Sequence, residues 1–91
     1  MKIAMRAFVK GRVQGIGYRW FAREQADELN LTGYVRNLPN GEVEVFVEGD
    51  QAKIIDYLGK LRKGPPMATV TELEINQYPY ENRFKKFKVE L

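Results

Sequence analysis

Two switches of hydrophobic period within 91 residues constrain this chain more than any other feature. In "KIAMRAFVK", residues 2–10, Ile3, Met5, Ala7 and Val9 alternate with Lys2, Arg6 and Lys10, with Phe8 on the charged face. Period two predicts a half-buried strand. From Tyr18 the period lengthens: Tyr18, Phe21, Ala22, Gln25, Ala26 and Leu29 share one face of a helix of about three turns. Asn30 is placed to cap that helix and Gly33 to bend the chain after it. "YVRNL" reads as a short strand. Asn40-Gly41 predicts a hairpin through a type I′ turn, in which both central residues take positive φ. "EVEVFVE" then alternates with Val43, Val45 and Val47 inward. Asp50 is the expected N-cap of a second helix carrying Ile54, Ile55, Leu58 and Leu61, ended by Gly64-Pro65-Pro66. "TVTELEI" alternates again, and a loop around Pro79 leads to a last short strand in "KKFKVEL".

Strand–helix–strand occurs twice, so the order predicts an α+β fold of the split β-α-β, ferredoxin-like sandwich type. The sheet should be antiparallel-rich, with an extra C-terminal strand. Its strands alternate instead of running solidly apolar. One face should therefore carry both helices and the other should meet water. Residues 1–91 are expected to form a single domain, because a chain this short has material for one core only.

Composition removes several chemistries. There is no cysteine, histidine or serine. Thiolate and imidazole metal sites, Ser–His–Asp machinery and phosphohistidine intermediates are excluded. Arg, Lys, Asn, Gln, Asp, Glu, Tyr and backbone groups are left to act. "MKIAMRAFVKG" lacks the apolar core of a signal peptide, and no run approaches a membrane span, so a cytoplasmic location is expected. The net charge of +3 favours anionic partners without choosing among them.

The predicted topology gives "GRVQGIGYR", residues 11–19, a purpose. The first two strands run parallel with the third between them, so both end on one rim. Gly11, Gly15 and Gly17 follow the first strand, and Asn37 ends the second. Two strand spacings, ~10 Å, separate the two ends. That gap suits one tetrahedral anion and a water. The loop precedes a helix N-terminus, where free N–H groups favour an anion, and Arg19 adds planar bidentate donors. Each element also has a plainer reading. Three glycines make a tight strand-to-helix turn, Arg19 by itself is a solvated first-turn residue, and Asn37 by itself is a turn former. Trp20 reads as a rim or packing residue, and Arg36 should point to the opposite face from Asn37. Lys85, Lys86 and Lys88 read as a solvated edge guarding against sheet pairing.

On these residues the chain resembles the acylphosphatase family. The family's first signature is a Gly-x-Val-Gln-Gly-Val-x-Phe-Arg run, and "GRVQGIGYR" occupies it, with Ile16 for valine and Tyr18 for phenylalanine. The second signature fits "GYVRNLPNGEVEVFVEG", residues 33–49. The resemblance implies hydrolysis of acyl phosphates to carboxylate and inorganic phosphate, without metal, cofactor or phosphoenzyme. By motif position, Gln14, Gly15, Ile16, Gly17, Tyr18 and Arg19 form the phosphate cradle. Arg19 then holds the phosphate and Asn37 orients the attacking water. Phosphate and other anions are the implied product or inhibitors, and a monomer is expected. If the last strand returns to the rim, the Leu91 carboxylate could pair with Arg19.

Two other readings remain open at this point. Ferredoxin-like sheets also stack RNA bases on exposed strand aromatics, here Phe8 and Phe46. Against that, Glu42, Glu44 and Glu48 put carboxylates where phosphates would lie, so no nucleic acid is expected. Similar domains within hydrogenase-maturation proteins suggest carbamoyl phosphate as the substrate. As a free-standing chain, this one looks more like the independent hydrolase.

Overall fold

The computed structural model describes residues 1–91 throughout. Its elements are β1 (Lys2–Arg12), α1 (Tyr18–Glu28), β2 (Thr32–Asn37), β3 (Val43–Asp50), α2 (Gln51–Lys63), β4 (Thr69–Pro79) and β5 (Phe87–Val89). The sheet order is β4-β1-β3-β2-β5. β3 pairs antiparallel with both β1 and β2, so those two strands run parallel across it. β4 adds antiparallel to β1, and β5 adds parallel to β2. This is the ferredoxin-like α+β sandwich with one added strand.

The inward alternation holds. Val43, Val45 and Val47 of β3 pack with Ile3, Ala7 and Val9 of β1, Val35 of β2, Ala22 and Ala26 of α1, and Ile54 and Leu61 of α2. Leu29 ends α1 with Asn30 beyond it at φ 57°. Leu31 N–H then bonds Ala26 O at 2.9 Å and Asn30 N–H bonds Asp27 O at 3.1 Å, the two bonds of a Schellman stop. On α2 the buried stripe is Ile54, Tyr57 and Leu61, while Ile55 is 59% exposed. Helical geometry puts residues three and four apart on one face, so Tyr57 takes the place expected of Ile55.

Several local expectations are corrected. Gly33 lies inside β2 opposite Val47, not at a bend. The β2–β3 turn is not type I′, because Gly41 alone there has positive φ, at 93°. Gly41 N–H bonds Leu38 O at 3.1 Å and Leu38 N–H bonds Glu42 O at 2.8 Å. Pro39, whose ring fixes a negative φ, thus takes the first corner of a turn that Gly41 closes. Asp50 does stand at the N-cap of α2, but its side chain makes no capping bond. It faces the N-terminal ammonium at 3.7 Å.

The second sheet face does not simply meet water. Glu44, Phe46 and Glu48 on the outward side of β3 are buried. The order of strands requires this. β4 and β5 lie at opposite edges of the sheet, so the segment joining them must cross the sheet, and it crosses this face. The Glu48 carboxylate accepts the backbone N–H groups of Glu81 at 3.0 Å and Arg83 at 2.8 Å. The Phe84 ring packs 5.7 Å from Phe46, and the Arg83 guanidinium lies 5.2 Å from the Phe46 centroid. Glu44 accepts from Tyr34 Oη at 2.8 Å and Arg36 Nε at 2.6 Å. Arg6 Nε lies 3.1 Å away as a charge contact without hydrogen-bond alignment. Phe46 is therefore not an exposed stacking platform.

The two helices are tied reciprocally. Tyr18 Oη of α1 donates to Leu61 O of α2 at 2.6 Å, and Tyr57 Oη of α2 donates to Ala22 O of α1 at 2.9 Å. Burial raises both phenol pKa values, because the low-polarity surroundings disfavour the phenolate. In the unfolded chain a tyrosine titrates near ~10. Above that pH the unfolded state holds fewer protons than the folded state, so stability falls as pH rises. We expect the urea midpoint to hold steady up to pH ~9.5 and then decline, with a shallower decline in Tyr57→Phe.

Candidate active site

The glycine segment divides into two parts with different reasons. Gly11 belongs to β1, where the β1–β4 register shifts between Lys10 and Gly11. A Cβ at Gly11 would overlap the Thr69 carbonyl oxygen, so the glycine there permits close backbone approach at a bulge. It is not part of the loop. Gly15 and Gly17 have φ of 76° and 82°, and a Cβ on either would meet open space. Their requirement is conformational: the left-handed backbone turns the chain sharply from β1 into α1. Gly17 is the N-cap of α1, without a side-chain cap.

That start leaves donors free. The first bond of α1 runs from Phe21 N–H to Gly17 O at 3.0 Å. The N–H groups of Tyr18, Arg19 and Trp20 have no intrahelical acceptor. No acidic residue occupies the first turn to answer the positive end of the helix dipole.

Arg19 projects from this first turn. Its Nη1 donates to Glu90 O at 2.9 Å. None of the ion pairs of the chain involves Arg19, so its charge faces no Asp or Glu side-chain carboxylate within 4 Å. The hydrogen-bond partner of Arg19 is thus the Glu90 carbonyl, with Leu91 lining the same cavity. β5 does return to the rim, because it runs parallel to β2, and Glu90 N–H bonds Val35 O at 2.9 Å. The group that reaches Arg19 is a neutral carbonyl, which fixes the guanidinium without neutralising it.

A cavity of about 420 Å³ opens on this rim, lined by Val13, Gly15, Gly17, Tyr18, Arg19, Trp20, Asn37, Val89 and Leu91. Asn37, at the end of β2, is thus brought to the same space as Arg19 and the loop. Gln14 and Ile16 do not line it. Gln14 instead reaches across to the β2–β3 turn, where Nε2 donates to Leu38 O and to Glu42 O, both at 2.8 Å. It joins the glycine loop to the residue after Asn37. Ile16 packs against the core cluster. Tyr18 lines the cavity, but its hydroxyl is committed to Leu61 O. Trp20 is on the rim as expected, yet it also lines the cavity. Arg36 points away, to Glu44. Sequence reasoning missed Val13, Val89 and Glu90; a backbone carbonyl such as that of Glu90 has no residue-type signature. No group of three or more Asp and Glu side chains converges on this rim.

A left-handed glycine loop, a helix start with unused donors and an unneutralised arginine make this rim suited to a tetrahedral anion. Comparison with known proteins is more particular. A family model described as Acylphosphatase matches residues 5–89. The acylphosphatase of Thermus thermophilus is 48% identical over 83 residues, covering 91% of this chain and 93% of its own. That of Archaeoglobus fulgidus is 40% identical over 87 residues, covering 96% and 97%. The crystal structure of acylphosphatase from Bacillus subtilis superposes with a TM-score of 0.94 at 29% identity, covering 98% of this chain and 99% of that one. The chain belongs to the acylphosphatase family, enzymes that hydrolyse acyl phosphates.

The Gln14 bridge has a measurable consequence. Gln14→Ala leaves the Leu38 and Glu42 carbonyls without their side-chain donor. A loss of about 1–3 kcal/mol is expected, read from urea unfolding with the slope unchanged. Gln14→Glu, which places a carboxylate against two carbonyl oxygens, should lose at least as much at neutral pH and recover part of it in acid, where the carboxyl becomes a donor again.

Proposed function

We propose that this chain hydrolyses acyl phosphates by direct attack of water, with the phosphoryl group held by Arg19 and the loop from Gln14 to Arg19, and the water oriented by Asn37. The observation that carries the proposal is the shared cavity. Gly15, Gly17 and Arg19 of one segment and Asn37 at the end of β2 line one space.

An acyl phosphate is a mixed anhydride whose leaving group is a stable carboxylate. Little proton donation is needed at the bridging oxygen. The work left to the protein is positioning and charge stabilisation. Backbone N–H groups of the loop and helix start, with the free edge of the Arg19 guanidinium, meet the equatorial phosphoryl oxygens. Because these donors are fixed before substrate arrives, they need no reorganisation as the transition state forms. The water oxygen bonds to phosphorus as the bond from phosphorus to the carboxylate oxygen breaks. A neutral amide such as Asn37 orients the water but is too weak a base to take its proton. That proton passes to a phosphoryl oxygen or to solvent, giving carboxylate and inorganic phosphate.

The test is phosphate release from benzoyl phosphate by purified protein with EDTA present. The wild type should turn over, and Arg19→Ala should lose both turnover and phosphate binding. Asn37→Ala should lose at least ~10²-fold in kcat while phosphate still inhibits, by analogy with removal of one preorganised donor. An unchanged rate in Asn37→Ala would remove its assigned role. The pH–rate profile should show no limb near neutrality belonging to an enzyme base. A sharp limb that moved on mutating a single carboxylate would overturn the proton route.

A further inference from the structure

The cavity is larger than its anion-binding end requires. A water takes up about 30 Å³ of liquid, so a phosphoryl group and its attacking water fill only a fraction of about 420 Å³. The lining is also two-sided. Gly15, Gly17, Arg19 and Asn37 provide the polar part, while Val13, Trp20 and Val89 provide an apolar part. Trp20 is 55% exposed in the free protein, so much of its indole is available to be covered. The Arg23 guanidinium lies 3.9 Å from the indole centroid. This cation–π contact covers part of the ring and holds it in place as a wall. Trp20 follows Arg19 on the first turn of α1, so the same backbone fixes the aromatic wall and the phosphate-binding cation relative to each other.

We propose that Trp20, with Val13 and Val89, forms the acyl-group subsite of this cavity and makes the enzyme prefer acyl phosphates with aromatic or bulky apolar acyl groups. The inference rests on the hydrolysis reading given above. An acyl phosphate is itself two-sided, with a dianion at one end and the acyl group at the other. When Arg19 and the loop hold the anion, the acyl group is confined to the remaining volume, beside the indole. A flat acyl group gains apolar contact there, and an acetyl group is too short to gain much of it. Trp20 acts by contact with the substrate, not by positioning Arg19, which Glu90 already anchors.

Two measurements test this. In the first, kcat/KM is compared for benzoyl and acetyl phosphate in wild type, Trp20→Ala and Trp20→Phe. The wild type should favour benzoyl phosphate, and Trp20→Ala should lower the benzoyl-to-acetyl ratio about 10-fold. Trp20→Phe should retain most of the ratio, and inhibition by inorganic phosphate should stay within about two-fold in both variants. An unchanged ratio, or equal losses on both substrates, overturns the subsite. The second measurement does not need turnover. Trp20 is the sole tryptophan, so its fluorescence reports from this wall alone. Benzylphosphonate should shift the emission and bind more tightly than methylphosphonate. Equal binding of the two with no emission change overturns the subsite even if hydrolysis is robust. If the wild type hydrolyses neither acyl phosphate, the hydrolysis reading fails, and the phosphonate titration still decides whether Trp20 contacts the group attached to a bound anion.

Discussion

The position of β3, hydrogen-bonded antiparallel to β1 on one side and β2 on the other, is the constraint on which the rim depends. It forces β1 and β2 to run the same way, so the residues following one strand and ending the other share an edge of the sheet. The connection between two parallel strands must then cross a face of the sheet, and α1 makes that crossing. The helix therefore starts where β1 stops, and its unused N–H groups open beside Asn37. Slipping β3 by one residue would turn Val43, Val45 and Val47 outward and remove the core that fixes this arrangement.

Three further contacts lock the rim from outside the sheet. Gln14 fastens the glycine loop to the turn after Asn37 through two carbonyls. Glu90 fastens Arg19 through one more. The reciprocal tyrosine bonds hold α1 to α2. In each case the acceptor is a neutral backbone oxygen. A carboxylate in the same place would have neutralised Arg19 and weakened its attraction for an anion. Neutral anchors supply orientation while leaving the positive potential of the rim intact.

The opposite face of the sheet follows the reverse logic. Its two buried carboxylates are each answered, Glu44 by the guanidinium groups of Arg6 and Arg36. Glu48 is answered by two backbone N–H groups of the crossing segment. A buried carboxylate left without partners would cost several kcal/mol, so these contacts specify where the 80–86 segment must lie. That segment brings β5 to the free edge of β2 and so delivers Glu90 to the rim. The two faces are connected by this crossing: the acidic alternation of β3 on one side fixes the strand that anchors Arg19 on the other.

Much of this was legible in the chain itself. Alternation in β1 and β3, the helical period of α1 and the order of elements determined the sandwich, because burial of one face imposes those periods directly. The glycine loop, Arg19 and Asn37 were recognisable from motif and topology together. What only the tertiary structure decided concerns contacts between distant segments. Gly11 serves a bulge against Thr69 and not the loop, a distinction set by the approach of β4. Tyr57 and not Ile55 enters the core, Phe46 is covered and not exposed, and Arg19 meets the backbone carbonyl of Glu90. A periodic pattern reports which face of an element is buried, but not which group from elsewhere in the chain arrives to cover it. Backbone carbonyls, which hold most of this rim in place, are the same in every residue and become specific only when the fold aims them.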